Sequence, residues 1–243
     1  MPYGLVSNAL RHFAVLLALA VSGQAIDPAQ AQNSAASSAS LNLQAVFDGL
    51  NKAAPLFKSI SGTLEYTKVT VIVDDHSTET GRIIFEKSGG KSRVMLAITA
   101  PSEKYVLFES GKVSIYRPKL AEVEVFSLAN RKDLVEQFLL LGFGTSAEEL
   151  QKAYDVSFAG EESLDGKRTA HLKLLPKSTG IAAQLKGIEL WLLLDTWQPL
   201  QQKFMEPSGD YLLASYRNLK HNTKIPSKDL RLPLKGNVRT VQR

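Results

Sequence analysis

Turn residues come so close together in this chain that its strands have to be antiparallel. From Gly62 onward, runs rich in β-branched and aromatic residues are cut by short breaks. The order is Thr63–Val73, the polar turn Asp74–Thr78, Gly81–Lys87, the turn Ser88-Gly89-Gly90, Ser92–Thr99, Lys104–Glu109, the turn Ser110-Gly111, Val113–Arg117, a break at Pro118, and Glu122–Phe126. Parallel neighbours need a crossover of about a dozen residues or more, whereas gaps this short suit hairpins. A second block repeats the pattern: Asp155–Ala159, a turn at Asp165-Gly166, Thr169–Leu175, Gly187–Asp195, Pro199–Glu206, a turn at Ser208-Gly209, and Tyr211–Tyr216. About ten or eleven short antiparallel strands in one domain favour a large curved sheet or an open barrel.

Helices precede and separate the strand blocks, so the expected class is mainly β with an α+β arrangement. Leu43, Val46, Phe47, Leu50 and Ala54 recur at helical spacing and predict a helix over Leu43–Phe57, interrupted near its end by Pro55. Between the blocks, Leu134, Phe138 and Leu141 share one helical face and Gly142 stops the helix. A second short helix is expected over Ala147–Tyr154.

Arg11 and His12 precede an apolar run, Phe13–Val21, of the length a signal peptide uses. It falls short of the roughly 20 residues that span a bilayer. Small residues then sit at peptidase spacing in Ser22-Gly23-Gln24-Ala25 and Ala29-Gln30-Ala31, which predicts cleavage after Ala25 or Ala31. Residues 1–31 are thus expected to be signal peptide and leader, 32–42 a flexible linker rich in Ala, Ser and Gln, and 43–243 a single domain. The sequence has no cysteine, hence no acylated lipobox, disulfide, thiol nucleophile or thiolate metal site. A soluble periplasmic monomer is the expectation. Lys plus Arg number 29 against 24 Asp plus Glu, a net +5. The basic residues are scattered, which suits an anionic membrane surface or an acidic partner and gives no nucleic-acid footprint.

Several strands depart from strict alternation. Ile188-Glu189-Leu190-Trp191-Leu192-Leu193-Leu194, Tyr105-Val106-Leu107-Phe108 and Tyr211-Leu212-Leu213 carry large apolar groups on both faces. Either helices cover the sheet and both faces are packed, or one face lines a cavity that accepts acyl chains.

Reactive constellations are missing. His12, His76, His171 and His221 lie far apart, without ligand spacing for zinc. Glu109-Ser110-Gly111 lacks the first glycine of a nucleophile elbow and falls in a hairpin. Gly89-Gly90-Lys91-Ser92 looks like the tail of a phosphate loop, but Phe85 stands where the first glycine should be and a strand follows where a helix is needed. Asp74 and Asp75 are adjacent and point in opposite directions, a poor acid and base pair. No enzyme activity, metal or cofactor is therefore expected.

The ordered turns resemble a known family. Gly81-Arg82-Ile83-Ile84-Phe85-Glu86-Lys87, Ser92-Arg93-Val94, Pro101, Gly111-Lys112 and Ile115-Tyr116-Arg117-Pro118 are similar to the first half of the LolA family of outer-membrane lipoprotein carriers. In the second half, the similar pieces are Leu172–Pro176, Ile188–Trp197, Asp210-Tyr211 with Tyr216-Arg217-Asn218 and Asn222, and Pro233–Val238. The resemblance implies an unclosed antiparallel barrel with helices as a lid over an apolar cavity. It further implies a carrier that takes acylated lipoproteins, or another envelope lipid, from an inner-membrane release complex to an outer-membrane receptor. On that reading Phe85, Phe108, Ile115, Trp191, Phe204 and Tyr211 are the cavity candidates. Phe138, Leu141 and Phe143 are the lid candidates, with Gly142 and Gly144 as hinges, although a core helix with a glycine stop explains that stretch equally. Where proteobacterial members carry a Trp and an Arg-Pro pair, the matching positions are Phe85, Lys87 and Ser88. Lys87 is the candidate for lid control, keeping the charge of arginine but not its planar fork. A sensor or interaction module on the same fold is the alternative.

Overall fold

Asn42 opens the first helix by accepting a hydrogen bond on its side chain from the Ala45 N–H at 2.9 Å, and α1 runs over Leu43–Ala53. Pro55 then falls in a short 3-10 turn, Ala54–Leu56, where its missing N–H and fixed φ do no harm. The computed structural model describes residues 41–127 and 141–243. The expected signal peptide, most of the linker, and Leu134 and Phe138 of the insertion lie outside the described residues.

Among the described residues twelve strands form one sheet: β1 Ser59–Thr70, β2 Asp75–Ser88, β3 Lys91–Ala100, β4 Lys104–Glu109, β5 Lys112–Arg117, β6 Glu122–Ser127, β7 Tyr154–Leu164, β8 Lys167–Pro176, β9 Gly187–Leu193, β10 Pro199–Met205, β11 Tyr211–His221 and β12 Arg239–Gln242. Their order is β12-β6-β5-β4-β3-β2-β1-β11-β10-β9-β8-β7. The end strands β7 and β12 do not pair, so the barrel is unclosed, as expected. Both blocks are meanders of hairpins, and they meet where β1 pairs with β11.

Three corrections apply. The strands among the described residues number twelve rather than about ten or eleven, and β12 pairs with β6 in parallel, Arg239 opposite Glu122 and Val241 opposite Glu124. Ion pairs hold this short polar strand: Arg239 with Glu122, and Arg243 with Glu124 at 2.8 Å, the latter carboxylate also taking Arg117. The expected turn Asp74–Thr78 is also mostly strand. The chain reverses earlier, through Val71–Val73 and Asp74 at φ 50°, a left-handed position that Asp tolerates. The Thr67 and Thr78 hydroxyls then hydrogen-bond across β1 and β2 at 2.9 Å.

Two shorter helices follow, α2 over Ala147–Ala153 and α3 over Thr179–Ala182. Ser146 and Glu149 form a reciprocal capping box at the start of α2, with Glu149 N–H donating to the serine hydroxyl at 3.2 Å and Ser146 N–H to the glutamate at 2.8 Å. The inner face, defined here as the one α1 covers, is filled at β8–β10. Val46, Phe47 and Leu50 of α1 and Leu150 of α2 pack with Leu172, Leu174, Ile188, Leu190 and Leu192. Gly49 permits this approach, since a Cβ there would lie 2.1 Å from the Trp197 ring. On the outer face of β2–β4, Ile84, Met95 and Leu107 are covered by Leu230, with Ile225 and Leu232 beside it. Burying a leucine fully contributes about 1.5–3 kcal/mol, which pins residues 225–232 across the back of the sheet. Covering of this kind accounts for part of the double-sided apolar pattern.

Candidate functional site

Side chains alternate along each strand, so the inner face of β1–β4, β10 and β11 is set by register. Leu64 lies opposite Tyr216, Ile83 opposite Leu96, and Val94 opposite Phe108. α1 and α2 fill the inner face only over the second block. Where the two blocks meet lies a cavity of about 460 Å³, walled by Leu64, Ile83, Leu96, Ile98, Val106, Phe108, Phe204, Leu212 and Ala214. That volume falls within the roughly 300–1,000 Å³ typical of small-molecule sites.

Polar groups on its wall are tied to one another. Tyr216 donates its hydroxyl hydrogen to the Gln202 carbonyl at 2.6 Å, and the Gln202 amide donates to the Leu141 carbonyl at 2.5 Å. Gln202 is 1 % exposed, and with both ends engaged it avoids the cost of an unsatisfied buried amide. Burial, with the neighbouring Tyr66, pushes the Tyr216 hydroxyl far up; burial and then Glu79 push Tyr66 up to about 12. Both stay neutral donors. Lys104 and Glu79, at 2.6 Å, put the one ion pair among the described lining side chains at half-exposed positions.

The Leu141–Thr145 segment packs beside the cavity, on its Gln202 and Tyr216 side. Leu141 and Phe143 are buried, Phe143 meets Tyr216 edge to face with ring centres 5.0 Å apart, and the Gly144 N–H donates to Gln198 at 3.3 Å. Gly142 and Gly144 sit at φ 83° and 62°. A Cβ on Gly144 would lie 2.5 Å from the Phe57 ring, and on Gly142 2.8 Å from Pro199. Packing therefore requires both glycines. Alanine at these positions is expected to cost stability, with Leu141 and Phe143 part of the buried core. Phe138 lies outside the described residues.

Beside the cavity is a second cleft of about 640 Å³, with Phe85, Phe143, Leu150, Tyr154 and Ile181 in its lining and Lys87, Lys152 and Lys177 around it.

The structure separates the residues that the sequence grouped. Phe108 and Phe204 line the cavity, while Phe85 and Lys87 line the cleft. Ile115 is on the same face, opposite Val106, but outside both linings. Trp191 and Tyr211 point the other way, a correction that follows from parity. Leu190 pairs with Gln202, which lines the cavity, so the next residue, Trp191, must face out. There it stacks on His171 at 4.3 Å and donates its indole N–H to Glu162 at 2.7 Å. That bond, and then the one from His171, hold the Glu162 carboxyl below the usual range. Tyr211 lies under the Lys203 ammonium, 4.4 Å from the ring centre. Gln202 and Tyr216, which set the cavity's polarity, read in sequence as ordinary strand residues.

Among the described residues no group of three His, Asp or Glu side chains is placed to hold a metal ion. Nor is any described helix long and apolar enough to cross a membrane.

No protein-family model matches the chain, and no curated protein matches it by sequence. Solved structures do. MucB is similar at a TM-score of 0.53 and 19 % identity, over 81 % of this chain and 64 % of MucB, a protein also solved in complex with MucA(peri). The present chain thus spans a little under two thirds of MucB. An uncharacterized conserved protein from Thermus thermophilus gives 0.52 at 14 % identity, over 82 % of this chain and 98 % of that one. The LolA superfamily protein NE2245 from Nitrosomonas europaea gives 0.37 at 14 % identity, covering 79 % and 98 %. At these identities the likeness is one of fold. That fold is an unclosed antiparallel barrel with helices packed on its inner face, similar to the fold of MucB.

Proposed function

We propose that this protein is a non-enzymatic carrier of acyl chains in the bacterial envelope. It binds the acyl chains of lipoproteins, or of another envelope lipid, and passes them toward the outer membrane. The observation that supports this most is the cavity of about 460 Å³, walled by aliphatic and aromatic side chains and with its buried amide already satisfied by Tyr216 and Leu141. An acyl chain gains about 0.8 kcal/mol per CH₂ on leaving water. A soluble shuttle therefore needs apolar volume rather than reactive groups, and release needs a receptor that offers a better pocket. After removal of residues 1–31 the carrier works as a periplasmic monomer, loaded at an inner-membrane release complex and unloaded at an outer-membrane receptor.

Native mass spectrometry of protein purified from its own periplasm tests the reading. A carrier retains lipid mass, and Phe108→Glu, which places a charge on the cavity wall, abolishes it while the protein still folds. Wild-type protein stripped of ligand that binds no fluorescent fatty acid refutes the proposal.

The likeness to MucB, which forms a complex with MucA(peri), favours a second reading: an interaction or sensor module on the same fold. Under that reading acyl occupancy changes affinity for a protein partner, whereas under the carrier reading the acyl group itself leaves for the acceptor.

A further inference from the structure

The cleft differs from the cavity in chemistry. Its floor is apolar, from Phe85, Phe143, Leu150 and Ile181. Tyr154, 1 % exposed, is part of its lining, and the Tyr154 hydroxyl is buried with no hydrogen-bond partner among the described residues. Leaving such a group unpaired costs roughly 1–3 kcal/mol. Burial pushes this hydroxyl up to about 12, so it offers a proton and not a charge. Lys177 donates to the Gln151 carbonyl at 2.6 Å and lies 3.5 Å from Asp155. Lys87 and Lys152 have no ion pair among the described residues. The only carboxylate among the described lining residues, Glu149, is turned to the Ser146 N–H at 2.8 Å and hydroxyl at 3.0 Å.

Cavity and cleft adjoin. Ile83 lines the first and Phe85 the second, two residues apart on one face of β2, or roughly 7 Å along the strand. Phe143, in the lining of the cleft, meets Tyr216, in the lining of the cavity, edge to face. We infer that the cleft binds the phosphate headgroup of an acidic amphiphile, held by Lys87 and Lys152, with its chain on the apolar floor. Lysine suits phosphate as a point charge with rotatable donors. This assignment rests on the carrier reading and adds the ligand class to it.

Titration calorimetry on the mature chain decides, using three probes: a lysophosphatidic acid, a monoacylglycerol with the same chain, and inorganic phosphate. Wild-type protein binds the lysophosphatidic acid at least about tenfold more tightly than the monoacylglycerol, equal to about 1.4 kcal/mol, and added salt shrinks the difference. The double variant Lys87→Gln/Lys152→Gln loses the preference and keeps its monoacylglycerol affinity. Equal affinity for the two amphiphiles, or a preference that survives the double lysine variant, overturns the headgroup site and leaves the carrier reading standing. Inorganic phosphate binding as tightly as the lysophosphatidic acid makes the cleft a free-phosphate site and overturns the amphiphile. If neither amphiphile binds, both the headgroup site and the carrier reading fall.

Discussion

Truncating Phe85 and Phe108 to alanine distinguishes a packed wall from a hollow one. Both rings face inward on the two strands that flank β3, each aligned with its Val94. Phe85 is 1 % exposed and meets Phe57 with ring centres 5.1 Å apart. Its removal costs the transfer energy of the ring plus the void left behind, about 3–5 kcal/mol. Phe108 is only partly buried and looks onto the cavity. Part of its ring has no protein contact to lose, so Phe108→Ala costs about 1–2 kcal/mol. Urea denaturation of the two variants, compared at equal m-values, reads the difference of about 2 kcal/mol. A fluorescent fatty acid reads the other half: Phe108→Ala alters its affinity, whereas Trp191→Phe, a change on the outer face, leaves it as in the wild type. Equal stability losses for the two alanine variants, with probe binding unchanged by Phe108→Ala, would refute the cavity argument.

Gly144→Ala lowers the thermal midpoint, because a left-handed non-glycine residue costs about 1–2 kcal/mol and the new Cβ meets Phe57 at 2.5 Å; calorimetry that finds no shift contradicts this packing. Acid should loosen β12. The Arg117 and then Arg243 guanidinium groups hold the Glu124 carboxyl below its ordinary value, so its contribution is complete above the unfolded carboxylate range and is lost as pH falls through the lower folded value. Amide hydrogen exchange of Arg239–Gln242, followed from neutral pH downward, should accelerate ahead of global unfolding, and exchange independent of pH beyond the intrinsic chemistry counts against the ion-pair anchor.

Turn chemistry made most of the sheet legible. Gly89-Gly90, Ser110-Gly111, Asp165-Gly166 and Ser208-Gly209 each mark a reversal between paired strands, and their glycines all take positive φ. What local signals cannot carry is long-range choice. Arg239–Gln242 has neither alternation nor a flanking turn that names a partner, because its pairing depends on carboxylates more than a hundred residues earlier in β6. Trp191 was hard to orient for a different reason: Leu190, Leu192 and Leu193 are buried as well, so burial on both faces erased the alternation that would have fixed parity. Gln202 reads as polar, and only the fold shows that its amide bridges Tyr216 and Leu141 inside the protein.

The β1–β11 ladder also has a kinetic consequence. Each meander consists of sequence neighbours and can zip up hairpin by hairpin, but the ladder that joins them sets Ile60 against His221 and Val69 against Tyr211. Closing so long a loop carries a large entropic cost before any contact repays it, and rates fall as such distant pairings dominate. The two blocks are therefore expected to acquire strand structure early and to dock late, with a half-built sheet presenting two bare edges in the interval. A mutation confined to β1 or β11 should then slow refolding more than one of equal energetic cost in β4 or β5, which stopped-flow measurements on matched variants can read directly.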